Sequence, residues 1–110
     1  MKAAIATHDG KGLWEDHFGQ SPFYLICEFD GTRWVKGEMR RNPIAARGDH
    51  AHPEEIHQIL SDCQIYAAKA MGKKSRQILE SMGVKTFLKD VATTEDMIAL
   101  LPIPSEQLRR

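Results

Sequence analysis

The residues best suited to bind a metal are five histidines, which fall in two stretches of the chain. His8 and His17 belong to the first, and His50, His52 and His57 to the second. Neutral imidazole is a common ligand of iron, copper and zinc at pH 7. His50 and His52 are separated by one residue, which would place both side chains on the same side of an extended segment. This spacing predicts a chelating pair; two solvated loop residues are the alternative interpretation.

A sharper motif surrounds the histidine of the first stretch, which reads His17-Phe18-Gly19-Gln20-Ser21-Pro22. A glycine permits a tight backbone turn, so Gly19 would place His17 and Phe18 together at the tip of a loop. Such a position would present the imidazole and the aromatic ring to a ligand. The alternative is that Phe18 anchors the loop in the hydrophobic core and His17 merely follows it.

A third motif, Ala70-Met71-Gly72-Lys73-Lys74, stands where a predicted strand gives way to a predicted helix. Backbone N–H groups at the start of a helix attract anions, and the two lysines add positive charge. Met71 brings a soft thioether, for which packing is the alternative role. An anionic ligand would therefore be accommodated at this loop.

The residues that hydrolytic enzymes require are missing from the expected positions. The first predicted strand, Lys2 to Thr7, carries no carboxylate, and Asp9 is alone beyond its end. Two-metal catalysis needs several acids around one site. Cys63 ends an apolar helical stripe, which favours packing over catalysis. These observations predict a binding protein and not an enzyme.

Composition limits the classes of binding partner and the cellular compartments that we expect for this protein. Fifteen basic residues balance fifteen acidic ones, so the chain lacks the basic excess that is typical of nucleic-acid binding. It has no apolar run near the roughly 20 residues that a membrane helix needs, and its first residues do not resemble a signal peptide. Cys27 and Cys63 form no paired motif and are expected to be reduced. We therefore expect a cytoplasmic protein that binds neither nucleic acid nor membranes.

Hydrophobic periodicity predicts one α/β domain over residues 1–102, followed by a C-terminal tail over residues 103–110. The element order is β-β-β-α-β-α-β-α. Such an order favours a mixed five-stranded sheet with three antiparallel strands followed by parallel ones, and helices on both faces. The two histidine-bearing loops would then meet at one end of the sheet. The predicted strands are Lys2 to Thr7, Phe23 to Phe29, Thr32 to Met39, Gln64 to Ala68 and Val84 to Leu88.

Arg41 to His52 is predicted to be a loop, and Pro53 is predicted to begin the first helix. The second helix is predicted to turn Met82 toward the core and to end at Gly83, and Thr93 is predicted to cap the last helix.

The chain resembles the dinitrogenase iron–molybdenum cofactor biosynthesis family, small carriers related to nitrogenase accessory proteins. The resemblance covers about residues 1–101. It implies a ribonuclease-H-like fold without nuclease activity and the binding or carriage of iron–sulfur or iron–molybdenum–sulfur clusters or their precursors. The matching stretches are Met1 to Thr7, His17 to Tyr24, Asn42-Pro43, Met71-Gly72 and Gly83 to Phe87.

Carried over residue by residue, the resemblance implies a cofactor site made by seven residues: His17, Phe18, Gly19, His50, His52, Met71 and Gly72. Of these, His17, His50 and His52 would ligate metal. A cofactor-synthesising or acceptor protein would be the partner, and an aerobically purified sample would carry no cluster. Two departures stand out: Lys69-Ala70 replaces the usual Gly-Gly pair, and Arg41 replaces the usual acid before Asn-Pro.

Two other functions are compatible with the residues. The first is a cofactor-free protein–protein interaction module, with Trp14 and Trp34 as contact anchors. The second is a simple divalent-metal site at His50 and His52.

Overall fold

One mixed sheet of five strands organises the computed structural model, which describes residues 1–46 and 52–104. The strands are β1 (Lys2–Thr7), β2 (Phe23–Phe29), β3 (Trp34–Arg41), β4 (Ile65–Ala68) and β5 (Lys85–Leu88). Their order across the sheet is β3-β2-β1-β4-β5. The pairs β3-β2 and β2-β1 are antiparallel, and the pairs β1-β4 and β4-β5 are parallel, which confirms the predicted mixed sheet.

The central strand β1 is short and apolar, and both of its faces are covered. It pairs antiparallel with β2 from Lys2 opposite Glu28 to Thr7 opposite Phe23. On its other edge, Ala3 to Ile5 pair in parallel with β4. A strand buried on both faces favours the continuous apolar pattern that the sequence shows here.

The helices cover both faces of the sheet, as predicted. The first three, together with Phe18 from the loop after β1, pack on one face, and the last packs on the other. None of the helices in the described part of the chain is long and apolar enough to cross a membrane. The helices are α1 (Pro43–Ala46), α2 (Pro53–Ile59), α3 (Lys73–Ser81) and α4 (Thr94–Leu100), with a short 3-10 turn at Phe18–Gln20.

Local signals account for several of these boundaries. Pro53 begins α2, where its missing N–H costs nothing. The Thr93 hydroxyl accepts a hydrogen bond from the Asp96 N–H and so caps α4. Gly83 follows α3 with φ of 90°, a conformation that strongly favours glycine.

Two local expectations were wrong. The segment from Arg41 onward was expected to be a loop, but β3 continues to Arg41 and α1 follows at once. Arg41 pairs with Phe23, and the Asn42 side-chain oxygen accepts the Ile44 N–H at the start of α1. Met82 was expected to face the core, yet it is exposed because α3 ends at Ser81 and Gly83 redirects the chain.

The two cysteines lie on opposite faces of the sheet. Cys27 packs in the cluster under α4, and Cys63 in the cluster under the other helices. Both are free. Burial raises the pKa of Cys27 to about 11 and that of Cys63 to about 12, so neither presents a thiolate at neutral pH.

The packed chain extends past the expected domain boundary at residue 102. The Pro102 carbonyl accepts the Trp34 indole N–H, and Pro104 is buried. The rest of the expected tail, residues 105–110, lies outside the described residues.

Candidate functional site

The loop after β1 and the loop after β4 meet at the carboxyl edge of the parallel strands. His17 and Ala70 pair as a single parallel β-bridge. Two residues further on, a Cβ atom placed on Gly72 would lie 3.5 Å from Nδ1 of His17 and 3.9 Å from Oγ of Ser75. His17 therefore lies beside the start of α3, whereas the sequence predicted that its loop would meet the loop of His50 and His52.

The main chain of His17 is fixed, while its side chain extends toward solvent. The Trp14 indole Nε1–H donates to the His17 carbonyl at 3.0 Å, and the Gln20 N–H donates to the same oxygen at 3.0 Å. The imidazole is 63% exposed. Its ion-pair neighbour is Asp16, with Nε2 and Oδ1 4.0 Å apart. The ring is thus available to an external ligand.

Phe18 anchors this loop in the core. Its side chain is 2% exposed. The ring stacks on Tyr66 with centroids 5.2 Å apart and contacts Tyr24 at 4.9 Å. Of the two roles considered for Phe18, anchoring the loop is the one that its burial supports, although its edge also lines the cleft described below.

Asn42 braces the loop from beneath, a role that sequence reasoning missed. The buried Asn42 Nδ2 group lies 3.0 Å from the Gly19 carbonyl, 2.9 Å from the Ser21 carbonyl and 3.2 Å from the Tyr24 hydroxyl. The Tyr24 hydroxyl in turn donates to the Phe18 carbonyl at 2.8 Å. The signal in the sequence was the Asn42-Pro43 pair, which was interpreted only as a loop and as part of the family resemblance.

A narrow cleft of about 20 Å³ opens between this loop, α2 and α3. Its walls are mainly apolar, and His17 and Ser75 are at its mouth. A shallower depression of about 360 Å³ continues from the mouth over the first turn of α3. The cleft is lined by His17, Phe18, Gly19, Pro53, Ile56, Met71, Gly72, Ser75 and Leu79.

Positive charge surrounds the shallow depression. Lys73 and Lys74 line it, and both are exposed. Gly72 is the N-cap of α3 and offers no side-chain acceptor to the N–H groups of the first turn. Open N–H groups at a helix start, next to two lysines and an imidazole, make a surface that favours anions.

The remaining predicted site residues are only partly brought together. Gly19 lines the cleft and belongs to the 3-10 turn, so the tight backbone turn expected there is present, although the φ of Gly19 is not positive. Met71 is half-buried, lines the cleft and packs against the core. His52 caps α2 outside the cleft lining, although its neighbour Pro53 does line the cleft. His50 lies outside the described residues.

The two tryptophans considered as partner contacts are engaged inside the chain. Trp14 packs against the core and holds the His17 carbonyl. Trp34 is buried, contacts Phe29 and donates its indole N–H to Pro102. Trp34 is therefore not exposed to a partner, whereas Trp14 is half-buried.

Within residues 1–46 and 52–104, no three His, Cys, Asp or Glu side chains converge on a point where they could hold a metal ion. His17 therefore offers one imidazole to a ligand at the cleft, next to N–H groups and lysines.

Fold and cleft together define a small mixed α/β domain with an anion-favouring, histidine-bearing cleft at the carboxyl edge of its sheet. The chain belongs to the dinitrogenase iron–molybdenum cofactor family, whose model matches residues 1–101. The crystal structure of PH0822 has a similar fold, with a TM-score of 0.71 and 19% identity over 90% of this chain and 87% of that one. No curated protein matched the chain.

Proposed function

We propose that this protein binds and carries an anionic iron–sulfur or iron–molybdenum–sulfur cluster, or a precursor of one, without a reaction of its own. The observation that supports the proposal most is the meeting of the His17 imidazole with the start of α3 at Gly72. The family to which the chain belongs points to the same cargo.

The size of the cleft supports a surface site for the cargo. A cavity of about 20 Å³ has room for about one water molecule. The shallow depression over Lys73 and Lys74 is many times larger. A cluster would therefore lie over the mouth of the cleft, with one side toward His17 and α3 and the other toward solvent, where a partner protein could reach it.

The chemistry of the ligands supports a cargo that arrives preassembled. Assembly of a cluster from iron and sulfide normally uses cysteine thiolates. Cys27 and Cys63 are buried on opposite faces of the sheet, with raised pKa values. One exposed imidazole and a set of N–H donors suit the capture of a finished anionic cluster from a cofactor-synthesising protein and its delivery to an acceptor protein.

We further propose that the fold is ribonuclease-H-like and that the protein acts in the cytoplasm. The strand order β3-β2-β1-β4-β5, with an antiparallel hairpin beside parallel strands, supports the first. Two free cysteines that cannot pair with each other support the second.

The first test replaces His17 with alanine. The protein is incubated anaerobically with a synthetic four-iron, four-sulfur cluster whose thiolate ligands are labile. We expect a visible charge-transfer band for the unsubstituted protein and an affinity about tenfold lower for His17→Ala, equivalent to about 1.4 kcal/mol. His57→Ala, on α2 outside the cleft lining, is the matched control and should bind normally. Equal binding by His17→Ala and the unsubstituted protein would contradict a role for this site.

A second test fills the cleft without removing a ligand. The backbone of Gly72 has φ of −61° and ψ of 141°, which any residue adopts. The added methyl of Gly72→Ala would lie in ordinary contact with the His17 ring and Ser75. We expect near-normal thermal stability and a severalfold loss of cluster affinity. Thermal unfolding and the same titration check this, and Gln77→Ala, at an exposed position of α3 outside the cleft lining, is the control. Unchanged affinity in Gly72→Ala would place the cargo elsewhere.

A further inference from the structure

Lys69 is the residue that links three loops at the carboxyl edge of the sheet. It follows β4 directly, and its side chain is only 29% exposed. Its Nζ lies 3.9 Å from Oε1 of Glu15 and 3.7 Å from Oδ1 of Asp90. Those carboxylates belong to the loops that follow β1 and β5 and are themselves 81% and 91% exposed. One half-buried ammonium thus lies between two exposed acids.

The neighbour of Lys69 holds the same loop through the main chain. Ala70 pairs with His17 in the parallel β-bridge, and Glu15 precedes His17 by only two residues. The side chain of Lys69 and the main chain of Ala70 therefore both contact the short segment from Glu15 to His17. The β-bridge and the contact between Lys69 and Glu15 lie next to His17, so the placement of its exposed imidazole depends in part on this segment.

Charge gives Lys69 a second effect on the site. Glu15, Asp16 and Asp90 are three exposed carboxylates on this side of the edge. With Lys69 neutral, Glu15 and Asp90 would lose their shared cation and repel each other. An anion approaching His17 would also meet uncompensated negative charge.

We propose that Lys69 is a positioning residue for the cluster site: it holds the His17 loop against the ends of β4 and β5, and it neutralises the carboxylates that would otherwise repel an anionic cargo. The second half of this proposal rests on the proposed function, whereas the first half does not.

The experiment compares the full-length protein with three variants. Lys69→Met keeps the length of the side chain but removes its charge, and Lys69→Arg keeps the charge. The third variant combines Lys69→Met with Glu15→Gln and Asp90→Asn, so that the acids lose their charge together with the lysine. Each variant is measured by amide hydrogen exchange over residues 15–18 and by titration with tetrathiomolybdate, a soluble molybdenum–sulfur dianion.

Hydrogen exchange decides the positioning role without any cargo. We expect exchange over residues 15–18 to rise about two- to fivefold in Lys69→Met, in keeping with the strength of exposed ion pairs, and to return to normal in Lys69→Arg. Unchanged exchange in Lys69→Met would overturn the proposal even if cargo binding changed.

The titration decides how the charge acts. We expect Lys69→Met to bind tetrathiomolybdate about three- to tenfold more weakly at low ionic strength, as for one unit charge acting on a dianion through water, and the difference to shrink at high salt. The triple variant should recover most of this affinity. Failure of the triple variant to recover would mean that Lys69 contacts the anion directly, which overturns neutralisation. If the unsubstituted protein does not bind the dianion, the neutralisation half fails together with the proposed function, while the exchange result still decides the positioning half.

Discussion

Replacing Asn42 with alanine should lower the free energy of unfolding by about 3 kcal/mol and weaken cluster binding as well. Asn42 is 1% exposed, and its amide contacts two loop carbonyls and the Tyr24 hydroxyl. Its side-chain oxygen also accepts the Ile44 N–H. Alanine would remove the Asn42 partner of the buried Ser21 carbonyl and of the buried Ile44 N–H, and each such group costs about 1–3 kcal/mol when unsatisfied. Since Gly19 and Ser21 follow His17 closely, the same change should loosen the histidine loop.

Urea unfolding followed by circular dichroism measures the first effect, and the cluster titration measures the second. Gln58→Ala removes an amide from an exposed position on α2 and should change the free energy of unfolding by less than about 0.5 kcal/mol. A loss below about 1 kcal/mol in Asn42→Ala would show that the loop does not depend on these contacts.

Replacing Phe18 with alanine should have a comparable or larger effect on stability. A buried Phe→Ala change typically costs about 3–5 kcal/mol, from lost transfer free energy and the cavity left behind. Here the ring also stacks on Tyr66 and contacts Tyr24 at a tilt, which adds about 0.5–1.5 kcal/mol per aromatic pair. Phe18 directly follows His17, so the main chain of His17 should lose its fixed position at the same time.

Phe18→Leu separates packing from ligand contact. Leucine fills most of the volume and should cost only about 1–2 kcal/mol, so cluster binding should survive in this variant. Denaturant midpoints and titrations of both variants check this pattern. A stable Phe18→Leu protein that binds no cluster would instead show that the aromatic ring itself contacts the cargo.

The elements with the strongest local patterns could be predicted from the sequence. The continuous apolar run of β1 and the aromatic-rich β2 were predicted with the bounds that the structure has. Pro53 and Thr93 were identified as helix starts, and Gly83 as the end of α3. Residues close together in the chain determine each of these features, through a continuous apolar run, a helix cap or the backbone freedom of glycine.

Features decided by tertiary contacts could not be predicted in this way. The contacts of the Asn42 amide reach residues about 20 positions earlier in the chain, and no periodicity reports such a distance. The exposure of Met82 depends on the residue at which α3 ends, because Met82 stands just after the last helical residue and Gly83 then turns the chain.

The candidate site was predicted in part. The parallel pairing of β1 with β4 follows from the order of elements, and it brings the loop of His17 to the start of α3. The proposed participation of His50 and His52 followed from their residue type and spacing and from the family resemblance. His52 caps α2 beside the cleft, and nothing in its local sequence distinguishes a helix cap from a ligand.

The loop that carries His17 is secured through Phe18, Trp14 and Asn42, and none of these anchors touches the imidazole. The residue type at position 17 is therefore uncoupled from the folding of the loop. Cysteine or methionine could be introduced there at little cost in stability and, on the proposed function, would shift the preference of the site toward soft metal ions. Such separation of the scaffold from an exposed side chain gives protein engineers a simple route to variants with different ligand preferences.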